Sequence, residues 1–302
     1  DSHSKIPHGY VKAVHAEKAL ALPGVYGVYH CLNTTDRKYN RYRSNFDQSY
    51  LPNEECAFND YVRFVGDKIG VVAACDQETA ERAARLVEVE YEELPFSIGF
   101  DDTLAGKNCL EGETPVRDEY ELDVGEKQGN AEGLIEVCST MELPRLHHAT
   151  METHACIADY DPYSDMLTVY CPNQAVHGIR TVLADFLEMP ESHVRVVKAT
   201  MGGSFGAKQE WFLEPVTALV AKKLCRPVKL VYSRGEAMTD TIVRGAMRMS
   251  ARGYYTPDGE MKEIYCDVTL DAGAYIGNAG DYVRALAGKP TRCYRIPYMH
   301  YH

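Results

Sequence analysis

The sequence lacks the features that define several large classes of protein. It has no apolar run near the ~18 residues that a membrane-spanning helix needs. Its net charge of −12 leaves no basic excess for binding the phosphates of a nucleic acid. Glycine (23 residues) and proline (14 residues) are too scarce for a collagen-like or disordered chain. We therefore expect a globular protein that binds neither nucleic acid nor membrane.

Close cysteine pairs are also missing, although the sequence contains ten cysteines. Without a CxxC spacing, we expect no zinc ribbon and no iron–sulfur ligation within this chain. Several cysteines, such as Cys75 and Cys156, lie in apolar segments, where a free thiol acts as a small hydrophobic group. Reduced core cysteines and the lack of a visible signal peptide indicate a cytoplasmic protein.

The length of 302 residues indicates about two domains, since one domain takes roughly 100–200 residues. Strand patterns at residues 62–75 and 87–91 enclose a helical pattern at 78–86, which predicts a compact first domain ending near Leu104. Residues 32–60 are polar and aperiodic, which predicts a long excursion over the surface.

An acidic window follows this first domain. Residues 101–136 hold eleven acidic and three basic residues, so they carry −8 of the net charge of −12. A solvated linker over residues 105–133 is the favoured interpretation. A docking strip for a basic partner is the alternative.

From residue 134 onward, strand and helix patterns mix without strict alternation, which favours the α+β class. The predicted elements are strands at 155–160, 166–170, 194–198 and 228–232, helices at 175–187 and 214–224, a hairpin of 248–255 with 261–270, and a small-residue loop at 273–280.

A glycine-rich loop, residues 201–208, follows the predicted strand 194–198. Glycines let a backbone approach a ligand closely and turn N–H groups towards anionic or oxo atoms. The loop is not a Walker A motif, because Ala207 and Gln209 stand where that motif has a glycine and a hydroxyl residue. Taken alone, the loop is most simply a turn, and an independent nucleotide-binding protein is a weak alternative.

Two other groups of residues could carry chemistry. The cluster of His147, His148, Glu152 and His154 suggests a metal site, but its spacing does not match HExxH, and structural hydrogen bonding is the favoured interpretation. Gln174 follows a predicted strand and precedes a predicted helix, a position from which a side chain can reach a site.

Several motifs in order resemble one family over essentially the whole chain. The loop Gly202–Lys208 has the sequence GGSFGAK, which is similar to the family motif GGGFGGK. The family has a glutamine at the end of the preceding strand, and Gln174 matches it. Residues 151–160 resemble the family's Met-Glu-x-x-Ala segment. On these residues the chain resembles the molybdenum-binding large subunit of the xanthine dehydrogenase/aldehyde oxidase family, the molybdenum hydroxylases.

The resemblance implies a small α/β hammerhead domain at 1–104, the acidic linker at 105–133, and a first molybdopterin-binding domain at 134–302, with both domains incomplete. It also implies a molybdenum–pterin cofactor whose metal is held by the pterin and not by protein side chains. Iron–sulfur (2Fe-2S) and FAD groups would lie on partner chains or domains. The implied reaction hydroxylates an electron-poor carbon with oxygen from water.

The resemblance also implies roles for individual residues. Gln174 would donate a hydrogen bond to an oxygen of the molybdenum centre, and the backbone of Phe205 and Gly206 would face that centre. Gln209 stands where the xanthine-specific members have a glutamate that binds the purine, which puts xanthine itself in doubt. A purine-like N-heterocycle or an aldehyde stays open as the substrate. Because Ser204 is small, as the family's glycine is, we expect the loop to keep its shape.

The family's catalytic-base glutamate lies in a later part of its subunit, so no residue here is assigned a catalytic role. We expect this chain, which begins without Met and looks cut at both ends, to be inactive alone. Its expected partners are the C-terminal half of the molybdenum subunit and iron–sulfur and FAD subunits. A catalytically silent scaffold or binding module of the same fold is the alternative function.

Overall fold

A computed structural model of the chain describes residues 2–42, 52–110, 112–127 and 132–302. Strands and helices mix along these stretches, which confirms the α+β class. The strands are β1 (Ser2–His3), β2 (Gly9–His15), β3 (Val25–His30), β4 (Tyr61–Val62), β5 (Lys68–Ala74), β6 (Glu88–Glu93), β7 (Leu122–Gly125), β8 (Ile135–Leu143), β9 (Ala155–Asp161), β10 (Met166–Cys171), β11 (Val194–Lys198), β12 (Val228–Val231), β13 (Met247–Tyr255), β14 (Met261–Leu270) and β15 (Tyr298–Tyr301). The helices are α1 (Glu17–Leu20), α2 (Gln77–Ala84), α3 (Phe100–Leu104), α4 (Val176–Phe186), α5 (Glu214–Leu224), α6 (Arg234–Asp240), α7 (Ala279–Ala287) and α8 (Pro290–Cys293). None of the helices in these stretches is long and apolar enough to cross a membrane.

The chain folds into two compact units, and each unit takes two stretches of sequence. Unit 1 comprises Asp1–Phe96 and His147–Ile242, and unit 2 comprises Ser97–Leu146 and Val243–His302. The domain boundaries expected from the sequence, after residues 104 and 133, stay a prediction. The window predicted as a linker contains β7, and part of it (111 and 128–131) lies outside the described residues.

The first part of unit 1 contains two three-stranded sheets, ordered β1-β5-β3 and β4-β2-β6. The first five residues of β5 are buried, as its continuous apolar run predicts. Helix α2 begins after Asp76, whose Oδ1 accepts a hydrogen bond of 2.8 Å from the Thr79 N–H. The predicted strand–helix–strand pattern is therefore confirmed.

The predicted surface excursion over residues 32–60 is wrong for residues 39–41 and 54–59, which are buried; residues 32–38, 42, 52, 53 and 60 are exposed or half-buried, and residues 43–51 lie outside the described part. Tyr39 and Phe58 pack into the main hydrophobic core of unit 1. Glu55 is 1% exposed. The segment is polar, but its buried charged residues Arg41 and Glu55 are paired with groups of opposite charge.

Glu55 lies at the centre of a buried ionic cluster. Its carboxylate accepts hydrogen bonds of 2.6 Å from both Arg41 Nε and Lys68 Nζ. Lys68 Nζ also lies 3.4 Å from Asp240 Oδ1, and the Tyr232 hydroxyl donates to the same carboxylate. Burial alone would raise the pKa of Asp240, but the charges of Lys68, His3 and Arg41 and a hydrogen bond from His3 together outweigh it and hold that pKa at about 2. Pairing is what makes such burial tolerable, because an isolated buried charge is far more costly.

The second part of unit 1 is a four-stranded sheet ordered β11-β10-β9-β12. Leu167 on β10 and Ile179 on α4 are fully buried in its core, together with Trp211. Helix α5 covers the residues predicted for it, and Pro215 lies in its first turn, where a missing N–H costs nothing.

Strands β10 and β11 are parallel neighbours, with Cys171 at the end of one paired to Lys198 at the end of the other. Helix α4 connects them. Because the strands run in the same direction, their carboxyl ends lie at one edge of the sheet. Gln174 and the glycine-rich loop both follow these ends, so the fold brings them to the same edge.

Unit 2 is built on a five-stranded sheet ordered β7-β15-β14-β13-β8. The predicted hairpin is confirmed as β13 and β14, joined by a turn in which Gly259 has a φ of 91°. The small-residue loop predicted at 273–280 runs into α7, which the sequence analysis missed. Val283 and Leu286 of this helix pack against a buried cluster that includes Met299 of β15.

All ten cysteines are free thiols. Cys156 is buried, as expected for a core cysteine, and burial raises its pKa well above the ordinary value. Cys75 is exposed, so the expectation of a core position is wrong for it. The reason is local, because Cys75 follows the last residue of β5 and its Sγ lies 3.2 Å from Asp76 Oδ2.

Candidate functional site

The segment after β10 is fixed to the chain after β11 by backbone and side-chain hydrogen bonds. Asn173 is 2% exposed; its Nδ2 donates to the Glu210 carbonyl at 2.9 Å and its Oδ1 accepts from the Ala175 N–H at 2.8 Å. The Gln174 N–H donates to the Lys208 carbonyl at 2.8 Å. The backbone of Gln174 is thus held against the loop, while its side chain is exposed.

Glu152 holds the two ends of the glycine-rich loop together. Its Oε2 accepts hydrogen bonds from the Gly202 N–H at 2.9 Å and from Lys208 Nζ at 2.6 Å. A Cβ on Gly202 would lie 2.6 Å from the Glu152 Cβ, so only glycine allows this approach. Partial burial disfavours the Glu152 carboxylate, but the hydrogen bond from Lys208 leads the effects that outweigh it and lower its pKa.

The tip of the loop has an unusual backbone. Phe205 has a φ of 54° and Gly206 a φ of 97°, and the Phe205 side chain is 80% exposed. Within the part of the chain that the structure describes, no group accepts a hydrogen bond from the N–H of either residue. Successive N–H groups in a tight turn form a concave site for anionic or oxo atoms. The loop tip therefore has two backbone donors available for a ligand.

The loop also contacts the side chain of Gln174. The Ser204 hydroxyl donates a hydrogen bond to Gln174 Oε1, and Ser204 Oγ accepts one of 3.2 Å from the Lys208 N–H. With its oxygen engaged in this way, the Gln174 amide has its NH₂ group as the remaining hydrogen-bonding end.

Gln209 lies directly after the loop and is half-buried. Its N–H donates to the Gly206 carbonyl at 3.3 Å. The structure thus brings Gln174, Phe205, Gly206 and Gln209 to the same edge of the sheet, as the sequence analysis expected of a site. The roles assigned to them through the family resemblance stay predictions.

The histidine cluster forms structural hydrogen bonds. His154 Nε2 donates to the Ala207 carbonyl at 2.9 Å, and burial lowers the pKa of His154, which favours its neutral form. His147 Nε2 donates to the Ala237 carbonyl at 2.9 Å. Among the described residues, no group of three or more His, Cys, Asp or Glu side chains is placed to hold a metal ion. The favoured interpretation of these residues, structural hydrogen bonding, is supported.

Two residues of the site were not recognised in the sequence analysis. Glu152 was grouped with the histidines, and its role as the anchor of the loop depends on a contact with Lys208 that spans 56 positions. Ser204 was treated only as a small replacement for a glycine. Its hydroxyl was the available signal, since a buried hydroxyl needs a hydrogen-bond partner.

Comparison with known proteins gives two matching families. The aldehyde oxidase and xanthine dehydrogenase a/b hammerhead domain matches residues 2–95, and the molybdopterin cofactor-binding domain matches residues 115–302. The carbon monoxide dehydrogenase large chain of Hydrogenophaga pseudoflava is 32% identical over 98% of this chain, and the xanthine dehydrogenase molybdenum-binding subunit of Escherichia coli O157:H7 is 30% identical over 96%. The chain spans 39% of the length of each of these relatives.

A similar fold is found in quinoline 2-oxidoreductase from Pseudomonas putida 86, with a TM-score of 0.85 and 24% identity over 99% of this chain and 39% of that one. The chain belongs to the xanthine dehydrogenase/aldehyde oxidase family of molybdenum hydroxylases, with a hammerhead domain and a molybdopterin cofactor-binding domain. Its named relatives are oxidoreductases.

The residues at the sheet edge fit a molybdenum–pterin group. Such a group presents oxygen atoms, and the edge offers the N–H groups of Phe205 and Gly206 and the NH₂ group of Gln174 as donors. Gly206 has no side chain, so its backbone is uncovered, and its φ of 97° is one that glycine adopts readily. That Gln174, Phe205 and Gly206 hold the cofactor stays a prediction with which these donors are consistent.

Proposed function

We propose that this chain supplies part of the molybdenum–pterin site of a hydroxylase that acts on an electron-poor carbon of a purine-like N-heterocycle or of an aldehyde. In the net reaction a C–H bond of the substrate breaks and a C–O bond to a water oxygen forms. Two protons and two electrons are released, and the electrons pass to 2Fe-2S and FAD groups on partner chains or domains. When bound, the cofactor supplies the oxygen-transfer and two-electron chemistry.

The observation that carries this proposal is the set of three donors at the carboxyl ends of β10 and β11. The Gln174 amide and the N–H groups of Phe205 and Gly206 bind and orient the cofactor through its oxygen atoms. Donors held in place by a folded backbone need no reorganisation when charge develops, which is how such sites lower a barrier.

Gln209 is proposed to contact the substrate. Its amide both donates and accepts hydrogen bonds and carries no charge, which suits the edge of a neutral heterocycle that presents both a donor and an acceptor. This feature favours a neutral ring over one that needs a carboxylate partner.

The proposed assembly places the proton-abstracting base on another polypeptide segment. We propose a hammerhead domain at 1–104, a linker at 105–133 and a first cofactor-binding domain at 134–302, completed by the C-terminal half of the molybdenum subunit and by iron–sulfur and FAD subunits in the cytoplasm. The chain by itself is then inactive.

The test is hydroxylation by the assembled enzyme in water labelled with heavy oxygen. Xanthine, nicotinate, quinoline and benzaldehyde serve as probes of the two substrate classes. The proposal predicts that the label enters the product of at least one probe. Oxygen taken from dioxygen, or an assembled complex without molybdenum, contradicts it.

Substitutions separate this function from a silent scaffold. In the assembled enzyme, Gln174→Ala is expected to lower the turnover rate about 100-fold, the usual effect of removing one preorganised donor. Gln209→Ala is expected to raise KM for the accepted probe. A scaffold tolerates both changes without effect on the activity of the complex.

A further inference from the structure

The Ser204 hydroxyl stands between the loop backbone and the Gln174 side chain. Ser204 is 7% exposed, so its hydroxyl depends on protein partners for its hydrogen bonds. Its Oγ accepts from the Lys208 N–H at 3.2 Å and donates to Gln174 Oε1. Two hydrogen bonds in series thus connect the loop backbone, through Ser204, to the glutamine amide.

The direction of these two hydrogen bonds determines which end of the Gln174 amide faces Ser204. A backbone N–H can only donate, so Ser204 Oγ accepts from Lys208, and its single hydrogen, buried with the residue, needs an acceptor. Among the described residues, that acceptor is Gln174 Oε1. The Gln174 oxygen then faces Ser204 and the NH₂ group faces away. Without the hydroxyl, the two ends of an amide have nearly the same shape, and either can take the same place.

The rest of Gln174 is already held by the same loop. Its backbone N–H donates to the Lys208 carbonyl at 2.8 Å, and the neighbouring Asn173 is anchored to the Glu210 carbonyl at 2.9 Å. These bonds fix where the side chain starts but not how its amide is turned. Among the residues that the structure describes, only the Ser204 hydroxyl bonds to the amide itself.

We propose that Ser204 is a positioning residue that turns the Gln174 amide so that its NH₂ group, and not its oxygen, is presented to the cofactor. The proposal rests on the proposed function of Gln174.

The test uses the assembled enzyme and the electron paramagnetic resonance spectrum of its half-reduced molybdenum centre after titration with dithionite, which needs no substrate. We expect Ser204→Ala and Ser204→Gly to change this spectrum, because the donor to the centre is no longer held. Ser204→Thr, which keeps the hydroxyl, is expected to retain the wild-type spectrum. With an accepted probe, the alanine variant should lower kcat about tenfold and leave KM within about twofold.

A double-variant cycle shows whether Ser204 acts through Gln174. In a Gln174→Ala background, Ser204→Ala is expected to cause no further spectral change and less than about a twofold further loss of kcat. Additive effects overturn the proposal, and so does a wild-type spectrum for Ser204→Ala or Ser204→Gly.

The matched control is Thr217→Val. Thr217 is 1% exposed and its hydroxyl donates to the Leu213 carbonyl at 2.7 Å, so this change also removes a buried hydroxyl, within α5. We expect it to keep the wild-type spectrum. If the wild-type enzyme contains molybdenum and the Ser204 variants keep its spectrum, only this inference fails. If the wild-type enzyme contains no molybdenum, the proposed function fails.

Discussion

At the scale of single residues, the Lys208–Glu152 pair shows why the loop keeps its form. Lys208 is 1% exposed at its side chain, and Glu152 is 37% exposed. The charge that is hardest to solvate is therefore Lys208, and the loop conformation is stable only while Glu152 neutralises it. The pair matters for function because Glu152 also binds the Gly202 N–H at the start of the loop.

Lys208→Met tests this pairing. We expect the free energy of unfolding to fall by about 1–3 kcal/mol, since one buried, charge-assisted hydrogen bond is lost while the apolar stem is kept. The folded state lowers the pKa of Glu152 from its usual 4.5, so this group stabilises the fold above that pH and the effect is lost as the pH falls through the folded pKa. Urea unfolding should therefore show that the free energy of unfolding falls less between neutral and acid pH in the variant than in the wild type.

The control for this prediction is Lys107→Met. Lys107 Nζ lies 2.6 Å from Asp102 Oδ1, the same distance as in the buried pair, but the Lys107 side chain is 63% exposed. Exposed pairs contribute little, so we expect no measurable change in the unfolding midpoint. Equal losses in the two variants contradict the account of the loop.

Gln209 is the residue that we expect to set substrate preference. Gln209→Glu replaces a neutral amide by a carboxylate, which accepts stronger hydrogen bonds from ring N–H groups. We predict that the ratio of kcat/KM for xanthine to kcat/KM for quinoline rises about tenfold or more in the assembled enzyme. Gln77→Glu, at an exposed position of α2, is the control for the added charge. An unchanged ratio in the Gln209→Glu variant would rule out contact of Gln209 with the substrate.

At the scale of elements, the glycine-rich loop depends on a backbone that other residues adopt with strain. Gly206 has a φ of 97°, and a Cβ there would lie 3.4 Å from His148 Nε2, an ordinary contact. The cost of an alanine is therefore backbone strain and not a clash, about 1 kcal/mol by itself. Because the N–H of Gly206 is one of the proposed donors, a small backbone shift has a large effect on the cofactor.

Gly206→Ala is predicted to leave the chain folded and to lower the molybdenum content of the assembled enzyme severalfold. Gly259→Ala is the matched control, because Gly259 has a φ of 91° in the hairpin of unit 2 and, its chain neighbours aside, no heavy atom of the described residues lies within 4 Å of the Cβ it would gain. Both changes add similar strain, so metal analysis should show the loss only at Gly206. Equal molybdenum in the two variants contradicts a role for the loop tip.

Elements with a clear period were predictable from the sequence. The apolar stripe of α5 and the turn residues 256–259 between β13 and β14 indicated the positions of these elements, whereas the parallel pairing of β10 and β11 was seen only in the structure. The burial of residues 54–59 was not predictable, because Glu55 is buried against Lys68 and Arg41, 13 and 14 positions away, and no helix or strand period encodes such pairs. α7 was missed because glycine and alanine before it have the composition of a loop.

The candidate site was predictable in part. A strand-end position and a glycine-rich loop indicated Gln174 and Gly206, and the family resemblance indicated their roles. The hydrogen bonds within the site could not be predicted from the sequence. The contact of Ser204 with Gln174 joins residues 30 positions apart, and no local pattern encodes it. Sequence patterns thus predicted where the site lies, and the structure showed the hydrogen bonds that hold its residues.

At the scale of the whole molecule, the chain spans 39% of the length of two relatives that it matches across nearly all of its own residues. Its donors line one side of a proposed cofactor site, and no residue here is proposed as the base. An enzyme that divides a site among segments in this way needs all of them for turnover. The whole account therefore depends on what the assembled protein binds.

The most direct measurement is the molybdenum and pterin content of the purified, assembled complex. We predict one molybdenum and one pterin for each copy of this chain, determined by metal analysis and by the fluorescence of the oxidised pterin. Loss of both groups on Gln174→Ala with Gly206→Ala is expected, because the donors that orient the cofactor are then gone. A correctly assembled wild-type complex that contains neither molybdenum nor pterin would contradict the central claim.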